Sequence, residues 1–374
     1  MDSTISSNFQ NHSSHDLITA YLKRSLSSDL EVEAYEQLSK RASRVVRAQL
    51  KKGPFASLII KHLPDLNREQ PPSRTAELRE EQLAYVFLKK HPGVEKFAAD
   101  LLGFENGKIL ALEDLGKPAP DQRQESLLPI VPRLAEALAH LHGSTYGQQV
   151  SYLELRREMG LGLETEDMRR YGKPNMELLY KQGQEYLLHR FDISFVRHYQ
   201  DKLSQTFDGI FESIQKPGKF LSFIHDDLGN ARQTFPVGDK LFLLDFEYAK
   251  FTHMLLDFVK PIIGKFEMNH ESLIYTWMRP SFPLELIALY RQQLAHHYHI
   301  TFDETEWKQA QYHALAFGAI CLVGRLCFLE PEKKLYGTVK DNMKGILHRL
   351  QGLLEELDEG HTLQQFIAAY LKEA

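Results

Sequence analysis

Apolar and polar residues alternate along this chain with two different periods, and the changes of period divide it into elements. From His15 to Leu26, the residues Leu17, Ile18, Tyr21 and Leu22 fall at helical spacing, which predicts a short helix packed on whatever follows it. Residues 1–14 are polar and rich in Ser and Asn, the texture of a loose tail. Residues 44–50 and 57–63 read as a β-hairpin, two apolar-rich strands around a Lys51-Lys52-Gly53-Pro54 turn. Pro71-Pro72-Ser73 opens a helix with Leu78, Leu83, Val86, Phe87 and Leu88 turned inward, and His91-Pro92-Gly93 stops it. A strand over 108–113 comes next. The connector from Asp114 to Pro120, with a glycine and two prolines, marks a lobe boundary.

Beyond residue 116 the helical period dominates, over 127–142 and from 177 to 214, and is interrupted by one β segment at 219–247. Within it, 219–224 and 240–245 are strands, 225–233 is a polar loop, and Pro236-Val237-Gly238-Asp239 is a turn. The expected fold is α+β. Residues 1–28 form the tail and short helix, 29–115 a small sheet-bearing lobe, and 116–374 a helical lobe carrying the β segment. The pattern shows no internal repeat or low-complexity tract.

Composition narrows the possibilities. With 374 residues, 45 Lys and Arg against 50 Asp and Glu, and 43% hydrophobic residues, the usage is that of an ordinary globular protein and excludes disorder and collagen-like order. Cys321 and Cys327 lie too far apart along one helical stretch to bridge, so no disulfide is expected and a reducing cytoplasm is implied. Asp2 and Asp16 precede the first basic residue, Lys23, so no signal peptide is expected. The longest apolar run, 314–324, is shorter than the roughly 20 residues that span a bilayer and reads as a core helix, so no membrane partner is expected. Scattered basic residues form no stripe for a phosphate backbone, which argues against nucleic acid. Nothing in the pattern sets an oligomeric state.

The candidate chemistry lies in the β segment. Ile224-His225-Asp226-Asp227-Leu228-Gly229-Asn230 and Leu244-Asp245-Phe246-Glu247-Tyr248 each bring carboxylates to a strand end. Two such carboxylates suit phosphoryl transfer, one orienting the acceptor hydroxyl and the other holding the Mg²⁺ that neutralises the transferred group.

The order His-x-Asp with a nearby Asn, then an apolar strand ending Asp-Phe-Glu-Tyr, resembles the aminoglycoside phosphotransferase and choline kinase-like family of small-molecule kinases. The resemblance implies a bilobal protein kinase-like fold, with a small β-sheet N-lobe, a mainly helical C-lobe and the active site in the cleft between them. It implies transfer of the ATP γ-phosphoryl group, with Mg²⁺, to a hydroxyl of a small metabolite. His225 would be the structural histidine, Asp227 the catalytic base and Asp245 the main metal ligand. Lys61 stands where the family has its strand lysine and Glu81 where it has the helix glutamate; Glu80 competes, but the inward neighbours Tyr85 and Leu88 favour Glu81. Backbone groups of Glu113 and Leu115 would bond the adenine edge. Residues 134–142 look like the family's Leu-Ala-x-Leu-His helix, and Leu256-Asp257-Phe258 like the segment after the metal aspartate.

Two positions depart from the family. Arg232 stands where it has its metal-binding Asn, which leaves Asn230 or Gln233 as the amide ligand. The phosphate-covering stretch 38–44 has no glycine, so Ser39, Arg41 and Ser43 would hold phosphate with side chains. Asp226, Glu247 and Asp257 are assigned to the substrate side. Plainer readings stand beside these. Asp257 can cap a helix, His142 can be a core histidine, and Tyr248, Tyr275, Trp277, Tyr290, Tyr298 and Trp307 read mostly as core. A kinase-fold binding protein without turnover is the competing function.

Overall fold

The computed structural model describes residues 3–39, 44–63, 66, 72–116, 130–162, 176–189, 194–228, 233–263, 266–268, 276–278, 283–329 and 339–373. In chain order the strands are β1 (Glu31–Ser39), β2 (Arg44–Lys52), β3 (Ser57–His62), β4 (Leu101–Glu105), β5 (Ile109–Glu113), β6 (Leu221–Ile224), β7 (Thr234–Val237), β8 (Lys240–Leu243), β9 (Lys250–His253), β10 (Phe266–Met268) and β11 (Thr276–Met278). The helices are α1 (Ser3–Ser25), α2 (Pro72–Leu88), α3 (Val131–Thr145), α4 (Gln149–Glu158), α5 (Met176–His189), α6 (Ser194–Gln215), α7 (Val259–Ile263), α8 (Glu285–Tyr298), α9 (Glu304–Leu329), α10 (Val339–Leu357) and α11 (His361–Glu373). The chain divides into two compact units, one of residues 1–124, 150–171 and 234–249, the other of 125–149, 172–233 and 250–374.

The first unit is built on a five-stranded antiparallel sheet of order β1-β2-β3-β5-β4. Alternation along each strand separates two faces. Val46, Ala48, Leu58, Ile60, Ile109 and Ala111 form one, closed by Ile18, Tyr21 and Leu22 of α1. The opposite face of β3 carries Lys61 and meets α2. The helix expected from His15 starts at Ser3 instead of after a polar tail, because a packed turn, once formed, propagates through residues that have no strong reason to break it. This unit also takes the β7-β8 hairpin, whose Leu243 N–H donates to the Phe97 carbonyl at 2.7 Å, and most of α4.

The second unit is helical, with the antiparallel pair β6-β9 set among its helices. α9 is long and apolar enough over Glu304–Cys327 to cross a membrane by length and composition, but 83% of its most apolar window is buried within the protein. It is the core helix against which α5 packs. Gly183 and Gly324 make that crossing possible: a Cβ at Gly183 would fall on the Ile320 carbonyl oxygen, and one at Gly324 on that of Leu179. Gly324→Ala is therefore expected to cost about 1–3 kcal/mol by forcing two backbones apart. Gly209→Ala, on α6 where the added methyl meets nothing, should stabilise by up to about 1 kcal/mol. Urea midpoints of the two variants moving in the same direction would refute this account of the crossing.

Candidate active site

In the first unit, Lys61 sits on the central strand of the sheet with its side chain 9% exposed. Its Nζ lies 2.5 Å from Glu81 Oε2, 3.0 Å from Asp245 Oδ1 and 3.8 Å from Glu247 Oε2. Burial alone would lower the pKa of the ammonium, but Glu81, Asp245 and Glu247 reverse this and hold it well above the usual lysine range. Burial pushes Glu81 up to about 7, with Lys61 opposing. The neighbouring Glu80 turns away to the buried Arg156 of α4, accepting at 2.6 and 3.0 Å.

Asp245 comes after β8 in the left-handed conformation (φ 63°), a strained position that Asp tolerates better than most residues. The next residue, Phe246, is fully buried and packs edge-on against Tyr85, one turn beyond Glu81 on α2, with ring centroids 5.4 Å apart. One helix thus fixes both the lysine and the aspartate segment.

The connector after β5 is pinned by a pair that the sequence pattern does not reveal. Asp114 accepts from Arg47 Nε at 2.6 Å, from Ser57 Oγ at 2.6 Å and from Gly116 N–H at 2.9 Å. Burial works against the Asp114 carboxylate, but the Arg47 and Ser57 hydrogen bonds win and hold its pKa below the ordinary range. Glu113 gives its N–H to the Asp100 carbonyl at 2.9 Å, and Leu115 is half-buried beyond it. Ser39 ends β1, where its carbonyl accepts from Gln37 Nε2. Arg41, Ser43 and Asn230, like Arg232, lie outside the described residues.

In the second unit, Ile224 of β6 delivers His225, Asp226 and Asp227. Asp257 organises this turn: one oxygen accepts from His225 N–H at 2.8 Å and from His142 Nε2 at 3.0 Å, the other from Asp226 N–H at 2.7 Å. Its side chain is wholly buried, and although burial opposes ionisation, the His142 and His225 interactions keep its pKa low. Of the two readings of Asp257, the hydrogen bonds favour the structural one, since a carboxylate with both oxygens committed inside the protein positions the loop. His142 is a core histidine, its Nδ1 2.7 Å from the Tyr290 hydroxyl. Tyr290 and Trp307 are buried.

Asp227 Oδ1 lies 3.0 Å from Lys260 Nζ, which also donates to the Asp226 carbonyl, and Asp227 Oδ2 accepts from Gln233 Nε2. Asp226 pairs with Lys250 at 2.7 Å. Sequence reasoning missed Lys250 and Lys260; a lone lysine inside Phe258-Val259-Lys260-Pro261-Ile262 was the available signal.

His253 caps the turn that carries Asp257, its Nδ1 accepting from Leu255 N–H at 3.3 Å while its ring stacks on Phe220. Burial, with His313 adding to it, pushes its pKa down to about 3. The folded value lies below the unfolded value of about 6.5, so the unfolded chain binds the proton first as pH falls. Stability is therefore full above about pH 6.5 and declines below it by up to about 1.4 kcal/mol per pH unit, until His253 itself titrates. His253→Gln has no such proton to take up and should flatten the acid limb of the urea midpoint against pH; a slope equal to the wild type's would contradict the assignment.

The donors suit Mg²⁺, a hard cation that takes oxygen ligands. Three carboxylates surround one ammonium in the first unit, leaving excess negative charge, and Asp245 keeps 49% of its side chain exposed. In the second unit the Gln233 Oε1 is buried without a hydrogen-bond partner among the described residues, while Nε2 of the same amide is committed to Asp227. An orphaned amide oxygen of this kind is a ready metal ligand.

Neither a family model nor a curated protein sequence matches the chain. Solved structures do. Choline kinase from Cryptosporidium parvum Iowa II is 12% identical with a TM-score of 0.50, covering 96% of this chain and 99% of that one. A putative aminoglycoside phosphotransferase from Ralstonia eutropha JMP134 is 15% identical with a TM-score of 0.47, covering 96% and 98%. An ethanolamine kinase from Plasmodium vivax is 12% identical with a TM-score of 0.46, covering 92% and 81%.

Proposed function

Because the chain has the kinase-like fold of choline kinase, we propose that it transfers the γ-phosphoryl group of ATP to a hydroxyl of a small metabolite, an amino alcohol, amino sugar or related compound of the cytoplasm. The observation that carries the reading is the buried Lys61 ammonium shared between Glu81 and Asp245. A lysine held charged in that way has a use on phosphate oxygens.

In this reading Lys61 grips the α- and β-phosphates, positioned by Glu81. Asp245 would be a ligand of Mg²⁺, which when bound neutralises charge on the phosphate oxygens, and the orphaned amide oxygen of Gln233 is a candidate ligand in its own unit. Asp227, aimed by Lys260 and Gln233, takes the proton of the acceptor hydroxyl as its oxygen bonds to the γ-phosphorus and the bond to the β–γ bridging oxygen breaks. Asp257 acts through the backbone, fixing the N–H groups of His225 and Asp226. Asp226, bound to Lys250, and Glu247 are left to face the acceptor.

A panel of hydroxylated amines and sugars, assayed for ADP formation with ATP and Mg²⁺, tests the proposal. One chemical class of acceptor should raise ADP release far above ATP alone. Stabilisation by ATP and Mg²⁺ with no acceptor turned over would instead point to a binding protein.

A further inference from the structure

Helices α3 and α8 bring together a second group of chemistry-bearing side chains that the proposed reaction does not use. Glu136 and His140 stand one helical turn apart on α3, so they project from the same side. His297 comes from the last turn of α8. One donor atom from each, a carboxylate oxygen and two ring nitrogens, lie within 4.8 Å of one another. His140 is buried, whereas Glu136 and His297 are exposed.

The surroundings of His140 are built to present one of its nitrogens. Its Nδ1 lies 2.8 Å from the Tyr298 hydroxyl, and that hydroxyl donates to the His140 carbonyl oxygen at 3.5 Å. In the tautomer whose Nδ1–H donates to that hydroxyl, the lone pair is on Nε2. Nε2 is the atom facing Glu136, 3.8 Å from its Oε1. Such a second hydrogen bond is the usual device that fixes the tautomer and orientation of a metal-bound histidine. Gly143 belongs to the same arrangement, because a Cβ there would collide with the Tyr298 ring that lies over α3.

We propose that Glu136, His140 and His297 bind one divalent ion of the zinc class. Two imidazoles and a carboxylate suit Zn²⁺ and are poor ligands for Mg²⁺, which prefers an all-oxygen shell. Tetrahedral ligands at about 2.0–2.1 Å from Zn²⁺ sit closer together than the present spread. Rotation of the exposed Glu136 and His297 toward the fixed His140 closes the difference. The ion then joins α3 to α8, the pair that also supplies His142 and Tyr290, and so braces the histidine that holds Asp257.

Calorimetric titration of the metal-stripped full chain with Zn²⁺ alone, in nucleotide-free buffer, tests this. The expected result is a saturable step of one ion per chain that excess Mg²⁺ does not displace. His297→Ala and Glu136→Gln, both at exposed positions that folding tolerates, should weaken the step at least about tenfold, and Gly143→Ala should weaken it by displacing Tyr298. His361→Ala, a control on the exposed end of α11, should leave it unchanged. Absence of a stoichiometric step, or one that survives His297→Ala and disappears in Asp245→Ala, would overturn the proposal.

Discussion

Replacing Asp227 with alanine will lower turnover by about 10³-fold while ATP binding stays close to that of the wild type. The separation of the two effects comes from how the loop is held. Its conformation depends on Asp257, which takes the backbone N–H groups of His225 and Asp226 and makes no use of the Asp227 carboxylate. Lys260 keeps the Asp226 carbonyl as an acceptor after the change, so no buried cation is stranded. What disappears is the carboxylate proposed to take a proton from the acceptor, and removal of a positioned base typically costs 10²–10⁴-fold. The measurement is kcat with the best acceptor, beside a calorimetric ATP titration. Undiminished kcat would remove Asp227 from the chemistry, and loss of ATP binding together with kcat would mean that the loop itself had failed.

Lys61→Met will abolish binding of ATP with Mg²⁺ and destabilise the protein by about 3–5 kcal/mol at neutral pH. The ion pair with Glu81 is buried on both sides, so removing the cation leaves a carboxylate in a site that already pushes its pKa up to about 7. Lys61 lowers the Glu81 pKa, so its loss pushes that carboxylate above about 7; the carboxylate relieves its position by taking up a proton, and the penalty should shrink as pH falls toward about 7 and level off below it. The double variant Lys61→Met/Glu81→Leu should regain most of the stability and none of the nucleotide binding, because in the proposed function Glu81 holds the lysine and the lysine holds phosphate. A Lys61→Met protein as stable as the wild type, or one that still binds ATP with Mg²⁺, would contradict this division of roles.

The parts of the site that are legible in the sequence are those that a family motif or local periodicity marks. Lys61 and Glu81 are legible through the family resemblance, and the helical spacing of Glu81 to the inward Tyr85 and Leu88 selects it over Glu80; its Oε2 lies 2.5 Å from Lys61 Nζ. Asp245 is legible as the residue just past an apolar strand. β4 is not, because Leu101-Leu102-Gly103-Phe104-Glu105 is short and carries a glycine, and its strand character comes from pairing with β5. The Arg47–Asp114 pair joins residues on β2 and the connector, and the Tyr290–His142–Asp257 chain joins three separate segments. No spacing rule reaches across such separations. Asp257 shows the same limit in another form: a helix-start aspartate reads as a cap, and only the fold reveals that its acceptors serve the loop at His225.

The central claim is that Lys61, Asp245 and Asp227 serve one phosphoryl transfer. Single-turnover transfer of label from γ-labelled ATP to a hydroxylated acceptor tests it most directly, run on the wild type, Asp227→Ala and Asp245→Ala side by side. The account predicts labelled acceptor from the wild type, little from Asp227→Ala despite bound ATP, and neither product nor Mg²⁺-dependent ATP binding from Asp245→Ala. Labelled acceptor formed at the wild-type rate by both variants would contradict it.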